Sequence, residues 1–375
     1  MAEFFATTAR GLVEPLQKEL ASMGLSVGPV QVGGVAFESN WEGCYKANFN
    51  SRLASRILKP ILDFVAYQPE DLYHNILKHD FTKYIRPDQT LSIEASVKES
   101  KMRDQRFIAM KIKDAIVDQF TEKFGSRPNV ENVNPDLRVH VKAYKNQFSV
   151  ALDTSGQSLF MRGYRQEATE APLKENLAAG LLQLAEWDQQ SPVVDLMCGS
   201  GTFLIEAAMM AAKIAPGQFR KKFAFQNWKG FDPDVFSKVV DEGLSEEKTE
   251  LPFKFYGFDI DRQAIDVSKA NARRAGVDEL IEFKREPVST VKAPVEKGMI
   301  ILNPPYGARI GDEDNLRDVY KDLGFTLKTQ FKGWDCWILS GNKDLIMDLK
   351  LKSTRKIFVF NGQIECRFLK YSVNA

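Results

Sequence analysis

The chain has few cysteines and histidines, and their spacing argues against several kinds of site. Its 375 residues include four cysteines and three histidines, with no C-x-x-C pair. The widely separated cysteines are Cys44, Cys198, Cys336 and Cys366. We therefore expect neither a disulfide framework nor a bound metal. Scattered thiols are typical of a protein in a reducing compartment, and the cytoplasm is the expected location.

Long apolar segments and an excess of one charge are also missing. No segment reaches the roughly 20 apolar residues that a membrane span needs, so we expect no membrane association. The N-terminus has no basic region leading into an apolar core, which disfavours a signal peptide. The formal net charge is only +1. Any binding to nucleic acid must therefore depend on a local basic surface.

One such basic segment spans residues 98–113, which carry a net charge of +4. Apolar residues recur at helical spacing from residue 104 to a stop at Gly125, which predicts a helix. A basic stripe on one helix face suits contacts to RNA phosphates, although a solvated helix face is the simpler alternative. The candidate RNA-binding residues are Lys98, Lys101, Arg103, Arg106, Lys111 and Lys113.

The C-terminal part, residues 160–375, alternates apolar strands with helices. This order predicts a parallel sheet with helices on both faces. The chain closes differently, with a predicted hairpin over residues 356–371 that turns at Asn361-Gly362. An antiparallel pair at the end of a parallel sheet is typical of the seven-stranded methyltransferase fold. The predicted parallel strands are residues 192–195, 253–259, 281–284, 299–302 and 334–340.

A glycine-containing turn follows the first of these strands. It lacks the third glycine of a dinucleotide fingerprint and the Gly-Lys-Ser/Thr end of a phosphate loop. Asp195 stands before the turn, where a carboxylate would repel a phosphate but attract an ammonium group. S-adenosylmethionine has an ammonium and a sulfonium but no phosphate, whereas a turn without any ligand is the alternative. The residues of the turn are Met197, Cys198, Gly199, Ser200, Gly201 and Thr202.

Acidic residues also follow the next two strands. Asp259 can accept hydrogen bonds from both hydroxyls of a ribose, with Ile260 beside it, while Asp261 is the expected cap of the next helix. Glu286 stands where an acceptor for an adenine amino group would lie, although a surface glutamate is a comparable explanation. The long interval between Asp195 and Asp259 predicts an insertion within residues 212–251.

The most specific motif is Asn303-Pro304-Pro305-Tyr306, directly after the strand at 299–302. Neither proline has an N–H to continue a sheet, so the strand must end in a rigid corner. The Asn303 side-chain oxygen and the Pro304 carbonyl are acceptors, and Tyr306 offers an aromatic face. These groups suit a planar ring with an exocyclic amino group. An ordinary strand-terminating turn is the alternative.

Together these motifs resemble bacterial large-subunit ribosomal RNA guanine-N2 methyltransferases with an N-terminal THUMP domain. Some of these proteins are described as N6-adenine DNA methylases. The chain departs from the family pattern at Leu196, Glu286 and Ala308. The motifs that carry the resemblance are residues 5–12, 33–35, 51–56, 109–118, 127–130, 162–165, 171–175, 197–202, 204–209 and 303–307.

The resemblance implies an α/β chain with a class I, Rossmann-like methyltransferase domain preceded by two α+β domains. These are a ferredoxin-like domain (1–60), a THUMP domain (61–155) and the methyltransferase domain (160–375). The implied cofactor is S-adenosylmethionine, bound by Asp195, the turn, Asp259, Ile260, Glu286 and Asn303. The implied partner is 23S rRNA. A second domain that makes guanine-N7, as in some relatives, is not expected.

In the implied reaction the catalytic residues are Asn303, Pro304, Pro305 and Tyr306. The two acceptors would hold the amine hydrogens and stabilise positive charge, so no strong base is required. Tyr306 would stack on a base that has left its helix. A tRNA guanine-N2 methyltransferase, a DNA adenine-N6 methylase and a non-catalytic RNA-binding assembly factor remain open. The sequence does not indicate an oligomeric state.

Overall fold

The computed structural model describes residues 1–166, 173–306 and 313–373. Within them the chain forms two mixed β-sheets with helices packed against each. Ala171, Pro172 and Gly307, which belong to the motifs of the family resemblance, and Ala308, which departs from the family pattern, lie outside the described residues. None of the described helices is long and apolar enough to cross a membrane.

The first sheet contains the eight N-terminal strands. They are β1 (Ala2–Thr7), β2 (Ser26–Gln31), β3 (Gly34–Ser39), β4 (Arg56–Val65), β5 (Thr90–Lys98), β6 (Asn129–Val130), β7 (Leu137–Tyr144) and β8 (Gln147–Asp153). Their order across the sheet is β2-β3-β1-β4-β8-β7-β5-β6. The helices of this region are α1 (Val13–Ser22), α2 (Trp41–Asn50), α3 (Pro69–Leu77) and α4 (Gln105–Phe124).

Strand β4 joins the two predicted N-terminal domains. It pairs antiparallel with β1 through Ile57 and Leu58 and with β8 along most of its length. The expected division at residue 60 therefore passes through a strand, and the domain limits stay a prediction.

Helix α4 follows the predicted pattern. Asp104 caps it, because its carboxylate accepts hydrogen bonds from the N–H groups of Arg106 (2.9 Å) and Phe107 (3.1 Å). The helix ends at Gly125, which adopts a left-handed conformation with φ of 67°. The apolar positions on its inner face, including Ile108 and Ile112, are fully buried against the first sheet.

The second sheet has seven strands. They are β9 (Val193–Asp195), β10 (Phe255–Asp259), β11 (Ile281–Arg285), β12 (Met299–Leu302), β13 (Asp335–Ser340), β14 (Arg355–Asn361) and β15 (Ile364–Ser372). Their order is β11-β10-β9-β12-β13-β15-β14, and β15 runs in the direction opposite to the other six strands. All five predicted parallel strands and the closing hairpin are confirmed, with ends that differ by one or two residues.

Helices cover both faces of this sheet. The helices of this part of the chain are α5 (Glu175–Leu184), α6 (Thr202–Ala211), α7 (Pro233–Ser245), α8 (Arg262–Arg274), α9 (Glu313–Gln330) and α10 (Lys343–Met347). Helices α5, α6 and α8 share an apolar core with the first sheet. Helices α9 and α10 pack on the opposite face.

Short 3-10 helices occupy 81–83, 224–227, 278–280 and 288–290. One of them and α7 form the predicted insertion, and α7 packs against α2 of the N-terminal region.

Candidate active site

Three polar side chains meet at one edge of the second sheet. Asp195 ends β9, Asp259 ends β10 and Asn303 follows β12 directly. Because β10, β9 and β12 are neighbouring parallel strands, their carboxyl ends lie side by side. The strand order reverses direction at β9, and ligands bind at such switch points in open α/β sheets.

The turn after β9 requires glycine at two positions. Gly199 and Gly201 have φ values of 53° and 79°, which L side chains rarely adopt. A Cβ on Gly201 would also lie 3.0 Å from Cζ of Phe283. The Gly201 N–H donates to the Cys198 carbonyl (2.8 Å), which closes the turn before α6 begins. The backbone can therefore approach a ligand closely here.

Asp195 is a buried carboxyl group. It is 2% exposed, and its Oδ1 accepts a hydrogen bond from the Met197 N–H at 3.0 Å. Burial raises the pKa of Asp195 to about 8, and the nearby charge of Asp259 adds to the shift. A cation beside Asp195 would stabilise its ionised form, whereas a phosphate would be repelled. The electrostatics of this position thus suit an ammonium group.

Asp259 connects the ends of β9 and β10. Its Oδ2 accepts a hydrogen bond from the Gly199 N–H at 2.9 Å, and its Oδ1 accepts one from the Asp261 N–H at 2.9 Å. Each carboxylate oxygen can accept a further bond, so the predicted contact with ribose hydroxyls is compatible with this geometry. Ile260 beside it is 66% exposed. Asp261 caps α8 as predicted, because it accepts from the Gln263 N–H.

Glu286 lies next to Asp259 at the end of β11. Its N–H donates to the Asp259 carbonyl at 2.9 Å, which holds the two strand ends together. Its carboxylate lies 2.7 Å from Nζ of Lys284 and accepts a hydrogen bond from the Thr290 hydroxyl. Its proposed contact with an adenine amino group stays a prediction.

The corner after β12 contains an acceptor without a partner. Asn303 Oδ1 is buried, and no residue within 1–166, 173–306 or 313–373 donates a hydrogen bond to it. Pro304 is buried, but Pro305 is exposed, so the corner reaches the protein surface. The Pro305 carbonyl accepts a hydrogen bond from the Tyr320 hydroxyl at 3.3 Å. A buried acceptor left unpaired costs about 1–3 kcal/mol, which a ligand donor would offset.

Tyr306 is held against the C-terminal hairpin. Its hydroxyl accepts a hydrogen bond from Nδ2 of Asn361 at 3.0 Å and lies 3.8 Å from Sγ of Cys366. Its ring lies so close to Gly341 that a Cβ there would be 3.0 Å from two ring carbons. Burial raises the pKa of Tyr306 to about 12, so the phenol stays neutral near pH 7. Stacking of a base on this ring stays a prediction.

Two side chains that fix the glycine turn were missed as site residues. The Arg165 guanidinium donates to Oγ1 of Thr202 (2.7 Å) and to the Leu173 carbonyl (2.9 Å). Asn271 in α8 donates from Nδ2 to the Ser200 carbonyl at 3.2 Å. Arg165 belongs to the motif 162–165 of the family resemblance, but Thr202, to which it donates a hydrogen bond, is distant in sequence. Asn271 could have been found as a polar residue on the buried face of α8.

The six candidate RNA-binding cations belong to the region of the first sheet. Lys98 ends β5, two lie in the following loop, and three belong to α4. They are not on one helix face as expected, since Arg106 and Lys111 point about 140° apart around the helix axis. Nζ of Lys101 lies 4.9 Å from the ring centre of Tyr67, and that of Lys111 lies 5.3 Å from Tyr73. Their role in RNA binding stays a prediction.

Three family models match consecutive parts of the chain. A RlmL ferredoxin-like domain matches residues 3–58, and a THUMP domain matches residues 66–153. A methyltransferase domain described as RMKL-like matches residues 162–370. A relative in Synechocystis sp., named "Putative RNA methyltransferase slr0064", is 37% identical over 370 residues, which are 99% of this chain and 96% of that protein.

Solved structures resemble the whole chain. SMU.472, described as a "putative methyltransferase complexed with SAH", has a TM-score of 0.90 and 32% identity, and covers 100% of this chain and 98% of its own. A "possible methylase" from Clostridium difficile 630 has a TM-score of 0.90, 30% identity and the same coverage. A "predicted N6-adenine-specific DNA methylase" from Listeria monocytogenes has a TM-score of 0.89, 28% identity, and coverage of 99% and 96%.

These similarities confirm the expected fold class, a methyltransferase domain preceded by ferredoxin-like and THUMP domains. The SAH in the SMU.472 structure supports the expected cofactor. The chain belongs to the RMKL-like methyltransferase family.

Proposed function

We propose that this protein transfers a methyl group from S-adenosylmethionine to the exocyclic N2 amine of a guanine in 23S ribosomal RNA. The buried, unpartnered Oδ1 of Asn303 carries this proposal, because it is an acceptor reserved for a donor outside the described residues. It lies at the same sheet edge as Asp195 and Asp259. Family membership and the name of the Synechocystis relative support RNA methylation.

The residues at this edge fit S-adenosylmethionine. The segment from Asp195 to Thr202 contains neither lysine nor arginine, so it offers no cation for a phosphate. We assign Asp195 to the ammonium group, Asp259 to the ribose hydroxyls, and Ile260 and Glu286 to the adenine. When bound, this cofactor supplies an electrophilic methyl group on a sulfonium sulfur.

The corner after β12 then acts on the accepting amine. The lone pair of an exocyclic guanine amine is delocalised into the ring, which makes the nitrogen a weak nucleophile. Asn303 Oδ1 and the Pro304 carbonyl accept hydrogen bonds from its two N–H groups. These hydrogen bonds favour a pyramidal nitrogen and stabilise the positive charge that develops. The proton is released to water after transfer, so a general base is not needed. The two prolines and Tyr320 keep the acceptors in place.

The N-terminal region would hold the RNA. A base can enter this corner only after leaving its helix, so the substrate is unpaired or flipped RNA. Lys98, Lys101, Arg103 and Arg106 are exposed and offer sequence-independent contacts to phosphates, whereas Lys111 and Lys113 are half-buried. Tyr67 and Tyr73, which lie under two of these cations, add aromatic surface to the same region.

Nucleoside analysis tests this function directly. Purified protein is incubated with radiolabelled S-adenosylmethionine and, separately, with unmodified 23S rRNA, unmodified tRNA and adenine-methylation-free DNA. The proposal predicts N2-methylguanosine in the rRNA digest alone. Label in tRNA would identify tRNA as the substrate, and N6-methyladenine in DNA would contradict the proposal. Absence of transfer together with no cofactor binding in calorimetry would indicate a non-catalytic RNA-binding factor.

A further inference from the structure

The segment Arg10-Gly11-Leu12, between β1 and α1, docks the first region onto the second sheet. Gly11 has a φ of 90°, and a Cβ there would lie 2.8 Å from the Phe358 carbonyl oxygen in β14. Leu12 is fully buried, and a Cβ on Gly180 in α5 would lie 2.6 Å from its Cδ2. Close packing therefore explains why Gly11 and Leu12 occupy their positions.

Arg10 has a different environment. Its side chain is exposed, and its guanidinium carbon lies 5.4 Å from the ring centre of Phe360. Among the described parts of the chain, no carboxylate lies within 4.0 Å of it. Glu365, the cross-strand partner of Phe360, is not paired with it either. The charge of Arg10 is thus available to a partner.

The direction of β14 places Arg10 at the catalytic edge. Strand β14 is parallel to β13, because each pairs antiparallel with β15, so its last residues reach the carboxyl-end edge. Gly11 lies against Phe358 and Val359, and Arg10 lies against Phe360. The next residue, Asn361, donates the hydrogen bond that holds Tyr306. Phe360 and Asn361 are adjacent in β14, so their side chains point to opposite faces of the sheet, but both lie at the strand end that reaches the catalytic edge.

We propose that Arg10 binds a phosphate of the RNA strand beside the target nucleotide, an assignment that rests on the proposed function. A nucleotide flipped into the corner leaves its flanking phosphates at the mouth of the site. A guanidinium can hold a phosphate through two parallel hydrogen bonds, and the Phe360 ring limits its motion. The ferredoxin-like region thereby contributes directly to substrate binding at the catalytic edge.

The test compares Arg10→Ala and Arg10→Lys with Arg273→Ala, a change at an arginine that is 75% exposed on α8. With unmodified 23S rRNA, Arg10→Ala should raise KM for RNA about tenfold, while kcat and cofactor affinity stay unchanged. The negative slope of log(kcat/KM) against log[salt] should become less steep by about 0.7, the value for one lost phosphate contact. Arg10→Lys should keep the salt slope, and Arg273→Ala should behave as wild type.

RNA affinity from fluorescence anisotropy and thermal unfolding separate the possible failures. Equal RNA affinity for wild type and Arg10→Ala would overturn the assignment. A lower melting temperature with unchanged RNA affinity would also overturn it and make Arg10 a docking residue. If the wild type modifies another nucleoside while Arg10→Ala still weakens RNA binding, the assignment stands and the guanine-N2 function fails.

Discussion

Two buried polar groups, Asp153 in the first sheet and Asn303 after a strand of the second, have opposite surroundings. In the first sheet, Asp153 is fully buried but is bonded to Arg56, to His140 (3.2 Å) and to the Ser155 N–H. In the second sheet, Asn303 Oδ1 is buried and accepts nothing from the described residues. A buried polar group with partners avoids the cost of desolvation, whereas one without partners costs stability that a ligand can offset.

Asp195 extends this contrast within the second sheet. It has one backbone donor and no basic partner among the residues described, and burial raises its pKa. Burial alone would also raise the pKa of Asp153, but the hydrogen bond to His140 and the charge of Arg56 outweigh it and lower that pKa. Asp195 can therefore pair with the cation of a ligand, whereas Asp153 is already paired with Arg56. This difference leads to separable effects of mutation.

Asp153→Asn should produce the largest loss of stability. Removing one member of a buried ion pair leaves the Arg56 charge without compensation and costs about 3 kcal/mol. Urea unfolding should show this loss, and the cofactor affinity of the folded protein should stay unchanged. Since the Asp153 pKa is lowered, its contribution is present above the unfolded pKa and is lost as pH falls through the folded pKa. Equal stability of the variant would show that the pair is not structural.

Asp259→Ala should mainly affect cofactor binding, whereas Asp153→Asn should mainly affect stability. It removes the proposed ribose acceptor and the partner of the Gly199 N–H, so cofactor affinity should fall about 100-fold, or about 2.7 kcal/mol. RNA affinity should not change. The matched control is Asp261→Ala, which removes the cap of α8 and should cost only about 1 kcal/mol of stability. Unchanged calorimetric cofactor binding in Asp259→Ala would show that another group holds the ribose.

Cofactor affinity should depend on pH through Asp195. With a pKa of about 8, this carboxyl must lose a proton to pair with an ammonium group. Between pH 6 and 7.5, affinity should therefore rise by about tenfold per pH unit in wild type. Asp195→Asn should bind more weakly and show no such slope. Calorimetry in buffers of different ionisation enthalpy should detect the released proton, and a flat profile in wild type would contradict this account.

The triple change Lys101→Ala, Arg103→Ala and Arg106→Ala should affect RNA alone. If each cation contacts one phosphate of a single strand, the slope of log affinity against log[salt] should fall by about 2. RNA affinity at 0.1 M salt should fall about tenfold, with cofactor binding unchanged. A triple variant with wild-type salt dependence would place the RNA on a different surface.

The sequence predicted the features that depend on local pattern. The start of α4 near residue 104, its stop at Gly125 and the end of β12 before Pro304 follow from neighbouring residues. Alternating apolar strands and helices likewise indicated the order of elements in the second sheet. In these cases the physical cause lies within a few residues of the effect.

Contacts between distant segments could not be predicted. Tyr306 depends on Asn361, which is 55 residues away, and Thr202 depends on Arg165, which is 37 residues away. The sharing of β4 between two regions also depends on strand pairing, which local propensity does not determine. The basic segment illustrates the same limit, since its composition was correct but its cations do not share one helix face.

The most direct test of the central claim is Asn303→Ala, compared with Asn129→Ala at an exposed position of β6. Single-turnover methyl transfer to unmodified 23S rRNA is measured together with calorimetric cofactor binding. Loss of one acceptor that stabilises the developing charge should slow transfer at least about 100-fold. Cofactor affinity should change by less than about threefold, because the proposed function assigns the Asn303 oxygen to the accepting amine, and a larger loss would support the cofactor contact that the family resemblance implies. Transfer at a near wild-type rate in Asn303→Ala would contradict the account.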